Sequence, residues 1–128
     1  RILCYLISRV NEAQEKAGRP LTKEERFHTV DEIVCETTPE NKVNLLLYDG
    51  EMMYAHTNYK DSLHSSRQGK AVVFSTRALS QGNWELLPMN TLVAYEKGEL
   101  IFTGTDHGNE FVDSEEKMRL LFLDFASL

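Results

Sequence analysis

The stretch VNLLLYDGEMMYAH, residues 43–56, decides how this chain folds. Two mainly apolar runs, 43–48 and 52–56, flank an Asp-Gly pair that accepts the positive φ angles of a hairpin turn. Successive side chains of a strand point to opposite faces, so the consecutive leucines at 45–47 place apolar groups on both faces. The stretch therefore predicts a hairpin in a sheet that is covered on both sides.

A first helix is predicted upstream of this hairpin, over residues 1–16. Its apolar side chains recur at helical spacing, and Gly18 with Pro20 marks its end. The recurring positions are Ile2, Leu3, Leu6, Ile7 and Val10. Since no capping residue precedes them, we expect the helix, and the protein, to continue upstream of Arg1.

A second helix is predicted within LTKEERFHTVDEIVCETT, residues 21–38. Thr22 and Glu25 have the spacing of a capping box, in which each side chain satisfies the other residue's free backbone N–H. The predicted buried stripe consists of Phe27, Val30, Ile33 and Val34. The helical region, residues 1–37, is therefore predicted to be an αα-hairpin.

The pattern then changes from helical to extended, and residues 43–104 are predicted to form a mostly antiparallel sheet. AVVFST (71–76) indicates a third strand, and TLVAYEKGELIFTG (91–104) indicates two more around a tight Lys97-Gly98 turn. Between them, QGNWELLPMN (81–90) is predicted to be a loop that contains the single Trp.

The whole chain, residues 1–128, is predicted to be one α+β domain. The conformation of its tail, residues 105–128, stays open, with a short helix favoured over irregular structure. One face of the sheet can pack on the helices. Few residues remain to cover the other face, so we expect a partner layer that lies outside this chain.

The composition is that of a globular protein, with 41% hydrophobic and 27% charged residues. A net charge of −6 argues against a nucleic-acid-binding protein, which usually has a clustered basic face. No apolar run approaches the roughly 20 residues that span a bilayer, and no signal-peptide pattern is present. Two cysteines give no disulfide framework, so we expect a cytoplasmic protein in a reducing compartment.

The cysteines and histidines form no catalytic or metal-binding motif. Cys4 and Cys35 adjoin the apolar stripes of the two helices, so we expect buried, structural thiols. His56 and His64 flank a polar loop, but their spacing matches no zinc pattern. We expect neither a metal nor a cofactor.

The remaining polar groups have ordinary structural interpretations. His28 lies among charged helix residues and is predicted to be solvated. TDHGNE (105–110) is predicted to be a glycine-containing turn. The Ser75-Thr76 pair ends a strand without the Gly-x-Ser-x-Gly frame of a serine hydrolase. The residue chemistry alone therefore predicts an α+β domain without a readable function.

The order of the strand motifs adds a resemblance to a known family. NLLLYDGEMMYAH (44–56) is followed by AVVFSTRALS (71–80), WELLP (84–88) and TLVAYEKGEL (91–100). This order resembles the C-terminal half of class II glutamine amidotransferases, in particular their stand-alone bacterial branch. The resemblance covers roughly residues 41–104, and the first helix is similar to the segment that follows the family's Thr-Asp-Ser-Glu signature.

The resemblance implies an N-terminal-nucleophile (Ntn) hydrolase fold, an αββα sandwich of two stacked sheets between two helical layers. In that family an N-terminal Cys attacks a glutamine side-chain amide, and its own α-amine acts as the base. Residue 1 here is Arg, and neither cysteine is N-terminal, so no catalytic residue is carried over. The implied nucleophile lies upstream. Asn44, Ser75 and Thr76 are the candidates for cleft-wall positions.

The resemblance thus implies the scaffold half of an amidohydrolase whose parent is the enzyme. Its substrate would be glutamine or a γ-glutamyl compound, and its partner the upstream part of the same protein. No nucleic acid or membrane partner is expected. The alternative is a non-catalytic small α+β binding or assembly module, which the acidic charge and the lack of a nucleophile favour.

Overall fold

The computed structural model describes residues 2–79 and 82–113 of the chain. Two helices precede seven strands, and the fold is α+β as predicted. The helices are α1 (Ile2–Ala17) and α2 (Lys23–Thr37). The strands are β1 (Leu45–Tyr48), β2 (Met53–His56), β3 (His64–Gln68), β4 (Ala71–Ser75), β5 (Trp84–Leu86), β6 (Val93–Glu96) and β7 (Glu99–Thr103).

The helical hairpin forms through the local signals that the sequence carries. α1 ends where Gly18 adopts a φ of 68°, and its N–H donates to the carbonyls of Gln14 and Glu15. At the start of α2, the Thr22 hydroxyl accepts from the Glu25 N–H, and the Glu25 carboxylate accepts from the Thr22 N–H. The predicted capping box and the helical stop are both confirmed.

The first sheet has four antiparallel strands in the order β1-β2-β6-β7. The predicted hairpin is its β1–β2 pair, in which Tyr48 opposes Met53. The Asp49 carboxylate closes this turn by accepting from the N–H groups of Glu51 and Met52. The β6–β7 turn has positive φ at Lys97 and at Gly98, 51° and 79°, as a two-residue hairpin turn requires.

The second sheet has three antiparallel strands in the order β4-β3-β5, and two of its strands were not predicted. β3 reads HSSRQ, which has neither apolar alternation nor β-branched residues. The prediction of a loop over 81–90 is wrong for Trp84–Leu86, which pairs with β3. Only β4 of this sheet was expected, from the apolar 71–76 run.

Two buried clusters show how these elements stack. The first cluster lies between the helices and the four-stranded sheet, and the predicted stripe of α2 is part of it. The second lies between the sheets: Ala55 and Val93 come from the first sheet, and Leu63 and Leu87 flank strands of the second. Phe74 and Tyr95 pack against it. The layers are therefore helices, sheet and sheet.

The expectation that a covering layer lies outside the chain needs correction. The second sheet supplies that layer over the centre of the first, where Ala55 and Val93 are fully or almost fully buried. The edge strand β1 is covered less completely. Leu45 is buried in the first cluster, but Leu46, on the opposite face, remains 49% exposed.

The chain after β7 crosses the end of the first sheet without forming a described helix or strand. The Phe111 N–H donates to the Asn58 carbonyl, and Tyr59 and Phe111 form an isolated bridge. Residues 105–110, predicted to be a glycine-containing turn, form irregular structure instead, in which Gly108 has a φ of 68° and its N–H donates to the Asp106 carboxylate. The helix favoured for the tail is absent from 105–113, and residues 114–128 lie outside the described part.

Candidate functional site

A cleft of about 500 Å³ lies between the two sheets, and we call it the inter-sheet cleft. Its aromatic wall consists of Tyr48, Phe74 and Tyr95, and the last two rings meet edge-on with centroids 5.5 Å apart. Glu51 and Glu96 lie at its rim. Apolar walls with a few charged groups at the opening are typical of a small-molecule site.

The rim carboxylates are neutralised by cations from α2. Lys23 Nζ lies 2.7 Å from one oxygen of Glu96 and 3.6 Å from one of Glu51. Arg26 adds a 2.9 Å contact to Glu51. The hydrogen bond to Glu96 is the main cause of a raised Lys23 pKa, so this amine stays charged. The rim can therefore orient a polar ligand, but these paired groups do not supply a free base.

Asp49 links the cleft side of the hairpin to the helices. It accepts hydrogen bonds from Arg26 Nε and from the Tyr54 hydroxyl, in addition to the two turn N–H groups. Burial works against the charge, but the N–H groups of Met52 and Glu51 and the nearby guanidinium lower the Asp49 pKa. The carboxylate is thus held ionised as a structural acceptor.

The three residues predicted as cleft-wall candidates do not form a common site. The Asn44 side chain, before β1, donates to the Ser62 hydroxyl and accepts from the Thr57 hydroxyl. Ser75, at the end of β4, accepts from the Arg77 N–H, and Thr76 is exposed beyond it. Asn44 therefore belongs to a polar network at the end of the first sheet. Ser75 and Thr76 belong to the end of the second.

A buried polar cluster at the end of β2 was not recognised from the sequence. His56, Thr57 and Asn58 are consecutive and all buried. Asn58 is fully buried: its side-chain Oδ1 accepts from the Val43 N–H, and its Nδ2 donates to the backbone carbonyls of Asn41 and Asn109. The Asn58 side chain therefore joins the end of β2 to the loop before β1 and to the segment after β7. The HTN triplet after an apolar strand was the only available signal.

His56 contacts a second histidine that is distant in sequence. Its Nδ1 lies 2.8 Å from the Val43 carbonyl, and its Nε2 lies 2.9 Å from Nε2 of His107. Burial is the main cause that lowers the His56 pKa to about 4, and it also lowers that of His107. Both rings are therefore neutral at pH 7. The sequence predicted a turn at His107 but gave no sign of this pairing.

The cysteines differ from the expectation of two buried thiols. Cys4 is exposed, because it lies on the side of α1 that faces away from α2 and the sheet; this prediction is wrong. Cys35 is half-buried, and burial raises the pKa of its thiol, with added repulsion from Asp31 and Glu32. A thiol held in its protonated form is a poor nucleophile. His28 is exposed, as predicted.

Within the described ranges, no group of three or more His, Cys, Asp or Glu side chains is arranged to hold a metal ion. No helix in the described part of the chain is both long and apolar enough to cross a membrane. Comparison of the chain with protein-family models, with curated proteins and with solved structures finds no match. Function is therefore argued from the architecture and the site.

Proposed function

We propose that this chain is the scaffold half of a class II glutamine amidotransferase-like amidohydrolase, with the fold of an αββα Ntn-hydrolase sandwich. The observation that carries the proposal is the layer order of a helical hairpin, a four-stranded antiparallel sheet and a second antiparallel sheet. This order is consistent with three of the four layers expected of such a sandwich. The ordered strand motifs at 44–56, 71–80, 84–88 and 91–100 support the same family.

The outer face of the second sheet fits a missing fourth layer. Val73 opposes Ser66, and Leu86 opposes His64, so both apolar side chains lie on one face of the sheet. Phe74 lies on the other face and packs toward Tyr95. The side chains of Val73 and Leu86 are both exposed to solvent. An apolar outer face is what a further helical layer would cover in the complete sandwich.

The chemistry in this proposal belongs to an N-terminal Cys upstream of the chain. Its thiolate attacks the side-chain amide carbon of glutamine or of a γ-glutamyl compound, and its α-amine takes the thiol proton. That proton passes to the departing ammonia, or to the departing amine of a γ-glutamyl compound, and water then hydrolyses the thioester. The described residues supply the rigid support and one wall of the cleft. The two free cysteines fit a cytoplasmic setting.

The proposal is tested on the complete reading frame that encodes this chain. The purified protein should release ammonia from glutamine, or an amine from a γ-glutamyl amide. A glutamine-analogue diazoketone, which alkylates the attacking thiol, should label an N-terminal Cys upstream of residue 1. The matched controls Cys4→Ser and Cys35→Ser should keep full activity and full labelling. Labelling of Cys4 or Cys35, or a complete protein inactive on both substrates, would refute the proposal.

One observation favours the alternative, a non-catalytic assembly module. An apolar groove of about 430 Å³ runs between α1 and the β1–β2 hairpin, and Leu3, Ile7 and Tyr48 beside it are exposed. Such a surface is typical of a protein contact. The same labelling experiment separates the two functions, because an assembly module has no thiol that reacts selectively with a glutamine analogue.

A further inference from the structure

The ring nitrogens of His56 and His107 can be assigned their protons from their partners. His56 Nδ1 faces the Val43 carbonyl, which can only accept, so Nδ1 carries the proton and Nε2 of the neutral ring is bare. His107 Nδ1 accepts from the Asn109 N–H at 3.0 Å, so its proton is on Nε2. His107 Nε2–H therefore donates to His56 Nε2 across 2.9 Å.

This arrangement is complete only when both rings are neutral. Two protons satisfy four ring nitrogens in one continuous chain of hydrogen bonds. A third proton on His56 Nε2 would face the Nε2–H of His107. Moving the His107 proton to Nδ1 would instead face the Asn109 N–H. Each route breaks one hydrogen bond and leaves a charge in a site where His56 is 1% exposed.

The groups around the pair do not compensate a third proton. α2 contributes Asp31, whose carboxylate accepts from the Thr105 N–H, and the segment itself contributes Asp106. Both carboxylates favour a charged His107, yet burial outweighs them and its pKa is lowered. The loop before β1 faces the His56 ring with the Val43 carbonyl, and the loop before β6 accepts from the His107 backbone N–H with the Asn90 carbonyl.

The pair is one of several contacts that hold a segment of irregular structure on the sheet. Residues 105–111, the latch segment, form no helix and only one isolated bridge. Besides the histidine contact, the segment is tied by hydrogen bonds of Asn109 to Asn58 and Thr38, of Phe111 to Asn58, of Thr105 to Asp31, and of the His107 N–H to the Asn90 carbonyl. All of these ties attach the segment to the end of the first sheet or to α2. The sheet strands themselves do not depend on it.

We infer that the His56–His107 pair is an acid-sensitive latch, which holds the latch segment on the end of the four-stranded sheet at neutral pH and releases it when either ring is protonated. The inference does not depend on the proposed function. Release would uncover the Asn58 amide and the His56 ring while leaving both sheets in place.

The direction of the pH effect follows from proton linkage. The released histidines titrate near the ordinary value of about 6.5, whereas the docked rings resist protonation. The released state therefore binds more protons below that pH, and docking weakens as the pH falls toward 4, the approximate pKa of docked His56. Between about pH 7.5 and about pH 5, His56 alone shifts the docking equilibrium by about 30-fold.

The test is amide hydrogen exchange of the full chain at several pH values, corrected for intrinsic exchange rates. The N–H groups of Asn109 and Phe111 should lose protection by about 30-fold toward pH 5. The N–H groups of the β1–β2 ladder should keep theirs. His56→Gln should lose most of this pH response, because the ring that supplies it is gone, and the matched control His28→Gln, at an exposed helix position, should keep it. An unchanged response in His56→Gln would overturn the inference.

A second measurement covers the case in which His56→Gln does not fold. The ring proton shifts of His56 in the unmodified chain are followed by NMR from pH 8 to pH 4. We expect no transition of the docked form near pH 6.5, and new signals of a released form below it. A normal titration near 6.5 with the latch segment still protected would overturn the inference.

Discussion

The two sheets of this molecule are stabilised in different ways. The four-stranded sheet shares a cluster of eleven buried residues with the helices, among the residues described. The three-stranded sheet shares only four such residues with its neighbour, again among the described residues, and its central strand is HSSRQ. The first sheet is thus an apolar inner layer. The second is a cover with a polar central strand, and its position depends on a few contacts.

The comparison is tested most strongly by replacing one buried leucine with alanine in each cluster. Leu92→Ala removes a fully buried side chain from the first cluster and should lower the free energy of unfolding by about 4 kcal/mol. Leu87→Ala, the same change in the smaller second cluster, should cost about 2 kcal/mol, because Leu87 packs in a cluster of only four described buried residues. Equal losses in denaturant unfolding would contradict the comparison.

A smaller effect is expected where the turns of the two sheets touch. A Cβ on Gly98 would lie 2.1 Å from the Lys70 carbonyl oxygen, in the turn between β3 and β4. Gly98→Ala should therefore cost about 2 kcal/mol, from backbone strain at positive φ plus displacement of the second sheet. Gly69 has a similar φ of 64° and open space around it.

Gly69→Ala is the matched control for that contact. It should show the strain alone, about 1 kcal/mol, in the same unfolding measurement. If the two alanine variants lose the same stability, the contact between the turns does not hold the second sheet.

The smallest effect is expected at the start of α2, whose buried apolar side chains belong to the first cluster. Thr22→Ala removes the hydroxyl that accepts from the Glu25 N–H and should cost about 1 kcal/mol. Thr22→Ser keeps the acceptor and should be close to neutral. Amide exchange should rise in α2 while the β3–β4 ladder keeps its protection. A matching rise in that ladder would show that the two clusters unfold as one.

The sequence predicts the inner layer well because its signals are local and redundant. The stripe of α2, the Thr22–Glu25 box and the 43–56 hairpin each require several residues to agree, and the structure contains all three. The outer layer gives no such agreement. β3 has no apolar periodicity, since neither of its faces belongs wholly to a core, and β5 has only three residues.

The site was less predictable than the fold, because its groups meet over long sequence separations. His56 and His107 are 51 positions apart, and neither lies in a motif. Asn44 was selected as a polar group in an apolar strand, and it does make side-chain bonds, but to Thr57 and Ser62 rather than to Ser75. Contacts of this kind depend on how loops meet at a sheet end, which periodicity does not encode.

Gly104, which follows the last strand of the first sheet, is packed tightly against α2. At Gly104, just after β7, an added Cβ would lie 2.2 Å from Asp31 Oδ1, and the adjacent Thr105 N–H donates to the same carboxylate. The Asp31 carboxylate thus occupies the space that a side chain at position 104 would need. A larger residue at 104 is compatible with this packing only together with a shorter residue at 31. Substitutions at these two positions are therefore coupled.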